Sequence, residues 1–167
     1  MSGVIVRKAE HGDLPALLTI YNDEVVNGLS NLDIHPRSME EAEEWFSRLN
    51  RDNHPLLTAQ MEDGTIVGYA SLSKYREKEA YTTTVELSVY VERGHRQHGV
   101  GSALLAEILE EARRDSRTHL VISIITSVNR ASVELHKKFG FVYVGRSHEV
   151  GMKFGHYLDI DYYELQV

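Results

Sequence analysis

The chain has 167 residues, which suits one domain with one core, and its 42% hydrophobic and 26% charged residues give no sign of disorder. A net charge of −7 argues against a non-specific nucleic-acid face, and the absence of cysteine excludes disulfides, thiolate nucleophiles and Cys-based zinc sites together. The N-terminal residues hold no apolar stretch long enough for a signal peptide, and no run approaches the ~20 apolar residues of a membrane span. The expectation is a cytoplasmic soluble protein.

Val4 to Lys8 has the look of a short strand. Asp13 is placed to cap the helix that follows, with Pro15 in its first turn. Leu14, Leu17, Leu18, Tyr21 and Val25 then recur at helical spacing. Ser38 and Glu41 stand at capping-box separation before a second helix, whose apolar face is Ala42, Trp45, Phe46 and Leu49. The stretches 56–61 and 65–75 flank "EDG", a hairpin turn signal. Residues 81–91, "YTTTVELSVYV", are rich in β-branched and aromatic side chains and predict a strand.

A helix is expected from about Gly101 to Arg117, with Leu105, Ile108, Leu109 and Ala112 as its buried stripe. "HLVISII" at 119–125 is a continuous apolar run, as expected of a strand covered on both faces. Residues 129–140 predict a short helix with Asn129 as cap and Gly140 as stop. Two further strands, "FVYVGRSHEV" and "LDIDYYELQV", close the chain. No repeat, low-complexity segment or Pro-rich linker divides it, so residues 1–167 read as a single domain. The order β-α-α-β-β-β-α-β-α-β-β describes a mixed α/β (α+β) fold with a sheet built mostly from hairpins.

The junction "VYVERGHRQHGVGSALL" at 89–105 concentrates three glycines, two arginines and two histidines in an acidic chain. Gly99 and Gly101 leave main-chain N–H groups open to a ligand, and those donors belong to the first turn of the next helix. The helix dipole favours an anion there, and Arg96 adds a forked cationic donor suited to phosphate. A phosphate-bearing cofactor is the expected ligand. The loop is neither the Rossmann fingerprint nor a P-loop, since no third glycine and no Gly-Lys-Ser/Thr follow. His95 and His98 lack a third ligand at suitable spacing, so no metal is expected.

"RQHGVG" (96–101) resembles the Arg/Gln-x-x-Gly-x-Gly/Ala loop of the GCN5-related N-acetyltransferase (GNAT) superfamily, and "NRASVELHKKFGF" (129–141) resembles its second signature. Within it, "YNDEVV", "TVELSVYV", "LHKKFGF" and "GMKFGHYLD" are similar to the branch that acetylates phosphinothricin, methionine sulfone and methionine sulfoximine. The resemblance covers essentially the whole chain. It implies the GNAT fold, a mixed and mostly antiparallel central sheet flanked by about four helices. It also implies a homodimer that transfers acetyl from acetyl-CoA to the α-amine of a small amino acid or analogue.

Residue by residue, the resemblance puts the diphosphate of acetyl-CoA on Arg96, Gln97, His98, Gly99, Val100 and Gly101. It puts the pantetheine arm on main-chain groups of Val89, Tyr90 and Val91 as an added strand, with Asn129 and Ser132 nearby. An attacking amine must first lose a proton, and Glu86 is the candidate base, in a setting where enclosure raises a carboxyl's pKa. Glu86 shares a strand face with Ser88 and Tyr90 by alternation. The N–H of Val89 is the expected oxyanion donor. His136 stands where many relatives carry tyrosine, either as an acid for the leaving thiolate or as a residue that shapes the pocket. Arg76 would hold the acceptor's carboxylate, with Glu77, Lys78, Val85, Leu87 and Lys153 as further acceptor-site candidates. The segment 28–35 would line the acceptor pocket. The competing readings are another amine acceptor (an antibiotic, a polyamine or a protein N-terminus) and a non-catalytic sensor of acetyl-CoA.

Overall fold

A computed structural model describes residues 3–167. Seven strands form one sheet in the order β1-β2-β3-β4-β5-β7-β6. The strands are β1 (Val4–Lys8), β2 (Leu56–Met61), β3 (Ile66–Lys74), β4 (Thr84–Val91), β5 (Leu120–Thr126), β6 (Val142–Lys153) and β7 (His156–Gln166). The helices are α1 (Leu14–Asn27), α2 (Met39–Ser47), α3 (Val100–Arg114) and α4 (Arg130–Lys138). Every strand pair is antiparallel except β4 with β5, which α3 connects as a crossover. This is the expected mixed, mostly antiparallel sheet with four helices.

Two cores hold the layers apart. On one face, Leu17 and Ile20 of α1 pack with Leu49, Leu56, Tyr69 and the half-buried Trp45, Phe46 and Tyr90. On the other, the expected stripe of α3 (Leu105, Ile108, Leu109, Ala112) meets Val85, Leu87, Val121 and Ile125, with Val133 and Leu135 of α4 against it. Alternation along β4 therefore sends Val85 and Leu87 to the α3 side and Glu86, Ser88 and Tyr90 to the α1 side.

Local signals account for most boundaries. The Ser38 box closes as expected, with Ser38 N–H donating to Glu41 Oε2 at 2.7 Å and Glu41 N–H to Ser38 Oγ at 3.2 Å. The "EDG" hairpin turns on Gly64, whose φ of +90° suits only glycine.

Several expectations change. Asp13 does not cap α1 with its side chain. It closes a 3-10 turn (His11–Asp13) by accepting from Glu10 N–H at 2.8 Å and pairs with Arg7 at 2.8 Å, the stronger charged partner. β4 starts at Thr84, because Glu79–Tyr81 form a 3-10 turn, and α3 ends at Arg114. β5 is not equally covered: Val121, Ser123 and Ile125 are buried, while Leu120, Ile122 and Ile124 are half-buried along an open cleft. The last two strands form one longer hairpin, and β6, not the C-terminal β7, is the sheet edge.

Candidate functional site

β4 and β5 pair only from Thr84 opposite Leu120 to Glu86 opposite Ile122, and beyond that they diverge. β4 continues to Val91 with only β3 beside it. Glu92 N–H donates to Val67 O at 2.8 Å, which sets the phase of the β3–β4 ladder. In an antiparallel ladder the bonded pairs alternate, so Tyr90 and Ser88 direct their main-chain groups to β3. Val89 and Val91 direct theirs across the gap. The expected main-chain role of Tyr90 is thereby corrected, because those groups are committed to Tyr69. Its side chain lies instead in an aromatic stack, 5.3 Å from Tyr69 and 5.5 Å edge-on from Tyr21 between ring centroids.

The gap holds two connected cavities that share Ser30, Val89, Tyr90, Asn129 and Ser132. The outer one, about 470 Å³, runs past Val91, Arg96, Gln97, Gly99, Gly101 and Leu135. Gly99 precedes α3 with φ +84°, and Gln97 is also left-handed at +62°, so the loop curls around the free N–H groups of the α3 first turn. Gly101 is needed for another reason: a Cβ there would come within 3.1 Å of Leu135 Cδ2, so its bareness lets α3 approach α4. His98 is exposed, and Val100 turns its side chain into the core.

Arg96 is not a free cation over this loop. Its Nε donates to Val91 O at 3.1 Å and its Nη2 to Glu24 Oε2 at 2.8 Å. Glu24 is only 2% exposed and also accepts from Ser30 N–H at 2.9 Å. Burial pushes the Glu24 carboxyl up, but Arg96 and the Ser30 N–H outweigh it and hold it below the usual carboxylate range. The sequence reading missed Glu24, although a signal existed: it lies three residues after Tyr21 and beside Val25, on the apolar side of α1.

The inner cavity, about 240 Å³, passes through the sheet. Glu86 lines it from the α1 side and His136 from the α3–α4 side. Burial pushes the Glu86 carboxyl up, and the charge of Arg76 pulls part of that back. His136 is 3% exposed, and burial pushes its pKa down. Its Nδ1 lies 2.7 Å from Ser132 O, which can only accept, so Nδ1 carries the proton and Nε2 presents a lone pair. Asn129 does cap α4, accepting from Ser132 N–H at 3.2 Å, while lining both cavities.

Three buried polar atoms on this cavity lack a well-formed hydrogen bond: Asn31 Nδ2, which faces the Tyr90 hydroxyl, Ser123 Oγ and Thr126 Oγ1. Buried polar atoms are normally paired, so these mark where a ligand's polar atoms fit. The sequence hint was two hydroxyls inside the apolar run of β5. Asn31 belongs to the 28–35 segment, whose residues Ser30, Asn31 and Leu32 roof the cavity.

The other acceptor-site candidates separate. Arg76 is exposed beyond the end of β3, stacked 4.9 Å over Tyr75, and its charge reaches Glu86 and Tyr162. Glu77 pairs with Lys74 at 2.8 Å on the surface and Lys78 is exposed, so neither lines the cavity. Val85 is fully buried in the core and does not line the cavity, and Leu87 lines the cavity while its side chain joins the same core. Lys153 is buried behind the roof, with Nζ 3.0 Å from Asn31 O. A cavity of about 590 Å³ at the far end of the sheet includes paired groups such as Arg117 with Asp115 at 2.7 Å and holds none of the orphaned atoms. Among the described residues no His, Asp and Glu cluster could hold a metal ion, and no helix is long and apolar enough to cross a membrane.

Residues 6–161 match the family model described as an acetyltransferase (GNAT) domain. The chain is 37% identical over 162 residues to the L-methionine sulfoximine/L-methionine sulfone acetyltransferase of Pseudomonas aeruginosa, covering 97% of this chain and 94% of that one. Among solved structures, a ribosomal-protein-alanine N-acetyltransferase from Brucella melitensis superposes with TM-score 0.92 at 41% identity, covering 98% of this chain and 99% of that one. A GNAT phosphinothricin acetyltransferase from Sinorhizobium meliloti, solved with acetyl-CoA, superposes with TM-score 0.92 at 30% identity, covering 99% and 89%.

Proposed function

The chain belongs to the GNAT acetyltransferase family, and from that premise we propose that it acetylates the α-amine of a small amino acid with a polar side chain, of the methionine sulfone or sulfoximine type. It is an acetyl-CoA-dependent N-acetyltransferase. The observation that carries the finer reading is the roofed inner cavity with Glu86 in its wall, a carboxyl on which the charge of Arg76 acts from outside the lining. An acceptor with an amine and a carboxylate on one carbon meets both.

Bound acetyl-CoA supplies an activated acetyl group and a thiolate leaving group. The outer cavity suits it: the open main-chain edge of Val89, with the N–H of Val91 beyond it, fits an extended amide arm, and the donors at Gly99–Gly101 fit a diphosphate. In this reading Arg96 shapes that loop through Glu24, and the main-chain donors face the anion. Glu86 takes the ammonium proton, through a water where the amine does not reach it. Val89 N–H points into the gap and donates to the acetyl oxygen as charge develops there. Arg76 orients the acceptor by its carboxylate. His136, neutral with its lone pair on Nε2, is a pocket-shaping acceptor here and not the acid for sulfur.

The reading extends to a cytoplasmic homodimer, as the family resemblance implies and the absence of cysteine suits. The test is release of free thiol from acetyl-CoA with methionine sulfone, methionine sulfoximine, phosphinothricin, common amino acids, spermidine and a peptide with an N-terminal alanine. With no cysteine in the chain, only released CoA reacts with the probe. Turnover with the sulfone or sulfoximine is expected. Turnover confined to the peptide would move the assignment to protein N-termini, in line with the name of the Brucella neighbour.

A further inference from the structure

The roof of the inner cavity has one feature that the acetyl-transfer chemistry does not use. Lys153 is 3% exposed, forms no ion pair among the described residues, and lies at the end of β6. Its Nζ is 3.0 Å from Asn31 O and 3.3 Å from Asn31 Oδ1. An ammonium group only donates, so it holds the oxygen of the Asn31 amide toward itself and turns Nδ2 the other way. That Nδ2 is buried and faces the Tyr90 hydroxyl without a well-formed hydrogen bond to it, and Asn31 lines the cavity that Glu86 lines.

The roof is also held in place. Ser30 N–H is fixed by Glu24 at 2.9 Å. A Cβ on Gly151 would come within 3.1 Å of Leu32 Cδ1, so β6 packs directly against Leu32. Thr126 Oγ1, buried and unpartnered, lies in the opposite wall. Leu32, Ile124 and Ile160 supply the apolar part of a lining that is otherwise largely polar. Such a chamber suits a side chain with an apolar stem that carries a neutral hydrogen-bond-accepting oxygen.

We propose that Asn31, oriented by Lys153, is the specificity contact of the acceptor pocket: its Nδ2 donates to a side-chain oxygen of the acceptor, selecting amino acids of the sulfone and sulfoximine class over hydrocarbon isosteres. The proposal rests on the amino-acid acetyltransferase reading above. A site built to hydrogen-bond a substrate group rejects the analogue without it, because the site's own polar atom is then left unpaired.

The experiment compares kcat/KM for methionine sulfone and for norleucine, which has the same length without the oxygens. The wild type is expected to prefer the sulfone by at least about tenfold. Asn31→Asp keeps the partner of Lys153 and replaces the free donor by an acceptor. It should reduce the sulfone-to-norleucine ratio at least about tenfold, and the ratio, not either rate alone, is the readout. Lys153→Met, which frees the amide to flip, should lower the same ratio, and Lys153→Arg should restore it. An unchanged ratio in Asn31→Asp overturns the proposal and leaves the acetyltransferase reading intact. A wild type that turns over the sulfone and norleucine equally also overturns it. A wild type that binds acetyl-CoA and acetylates neither overturns the amino-acid reading, and the proposal with it.

Discussion

Glu86 feels two opposed influences, burial pushing its carboxyl above the ordinary 4.5 and the Arg76 charge pulling part of that back. A carboxyl raised in the folded state stabilises the fold below its unfolded pKa, and that contribution is lost as pH rises through the folded value. The ionised Glu86 that a base requires therefore costs stability near neutrality. Glu86→Gln should lower kcat by roughly 10²–10⁴-fold and raise the melting temperature near neutral pH, while calorimetry finds acetyl-CoA affinity unchanged. The wild-type kcat/KM should fall on the acid side with an apparent pKa above 4.5, the ordinary value. A glutamine variant with near wild-type turnover would remove Glu86 from the chemistry. Histidine 136 obeys the same logic with the sign reversed. Burial lowers its pKa, so the neutral ring is the stable form as pH rises, and the Ser132 carbonyl decides which nitrogen keeps the proton.

Among elements, the end of α1 joins the two halves of the site. Gly28 follows Asn27, the last residue of the helix, and a Cβ on it would lie 1.8 Å from Glu24 Oε1. Any side chain at 28 must displace the carboxylate that holds Ser30 on the acceptor side and Arg96 on the cofactor side. Gly28→Ala should therefore destabilise the fold by about 1–3 kcal/mol, as buried polar groups lose their partners, and raise KM for acetyl-CoA and acceptor together. Denaturant unfolding and two-substrate kinetics check this, and a rise in only one KM would break the proposed link. Elements of this kind were legible wherever the signal was local. The Ser38–Glu41 box, the Gly64 turn and the α3 stripe each follow from a few neighbouring residues. The convergence was not legible, because Glu24 meets Arg96 across 72 positions and Asn31 meets Lys153 across 122. Arg96 reads as a phosphate cation in its own loop, and only the fold reveals the carboxylate already bound to it. The splay of β4 from β5, which opens the cleft, likewise has no signature within either strand.

At the scale of the molecule, the sheet has one uncovered flank. β6 is its last strand, and Val142, Tyr143 and Val144 are each more than half exposed, with Val150 and Met152 further along and Tyr157 on the neighbouring β7. A long apolar edge left open invites pairing, and native chains avoid it with lysine, proline or a covering element. None of Val142, Tyr143 and Val144 is such a residue, whereas the N-terminal edge β1 carries Arg7 and Lys8. The asymmetry supports a second copy of this chain as the cover for β6, consistent with the homodimer implied by the family resemblance. In the homodimer we propose, a symmetric interface would set β6 of one protomer against the partner's, so one substitution would act twice. The C-terminal β7 cannot be that edge, since a strand bonded on both sides, to β5 and to β6, has no edge to offer. The double variant Val142→Lys, Val144→Lys should convert a dimer of 19.0 kDa chains to monomer in light scattering. Its melting temperature should then depend less on protein concentration than that of the wild type. A wild type that is monomeric at micromolar concentration, or a double variant that stays dimeric, would place the interface elsewhere and leave the exposed edge without a partner.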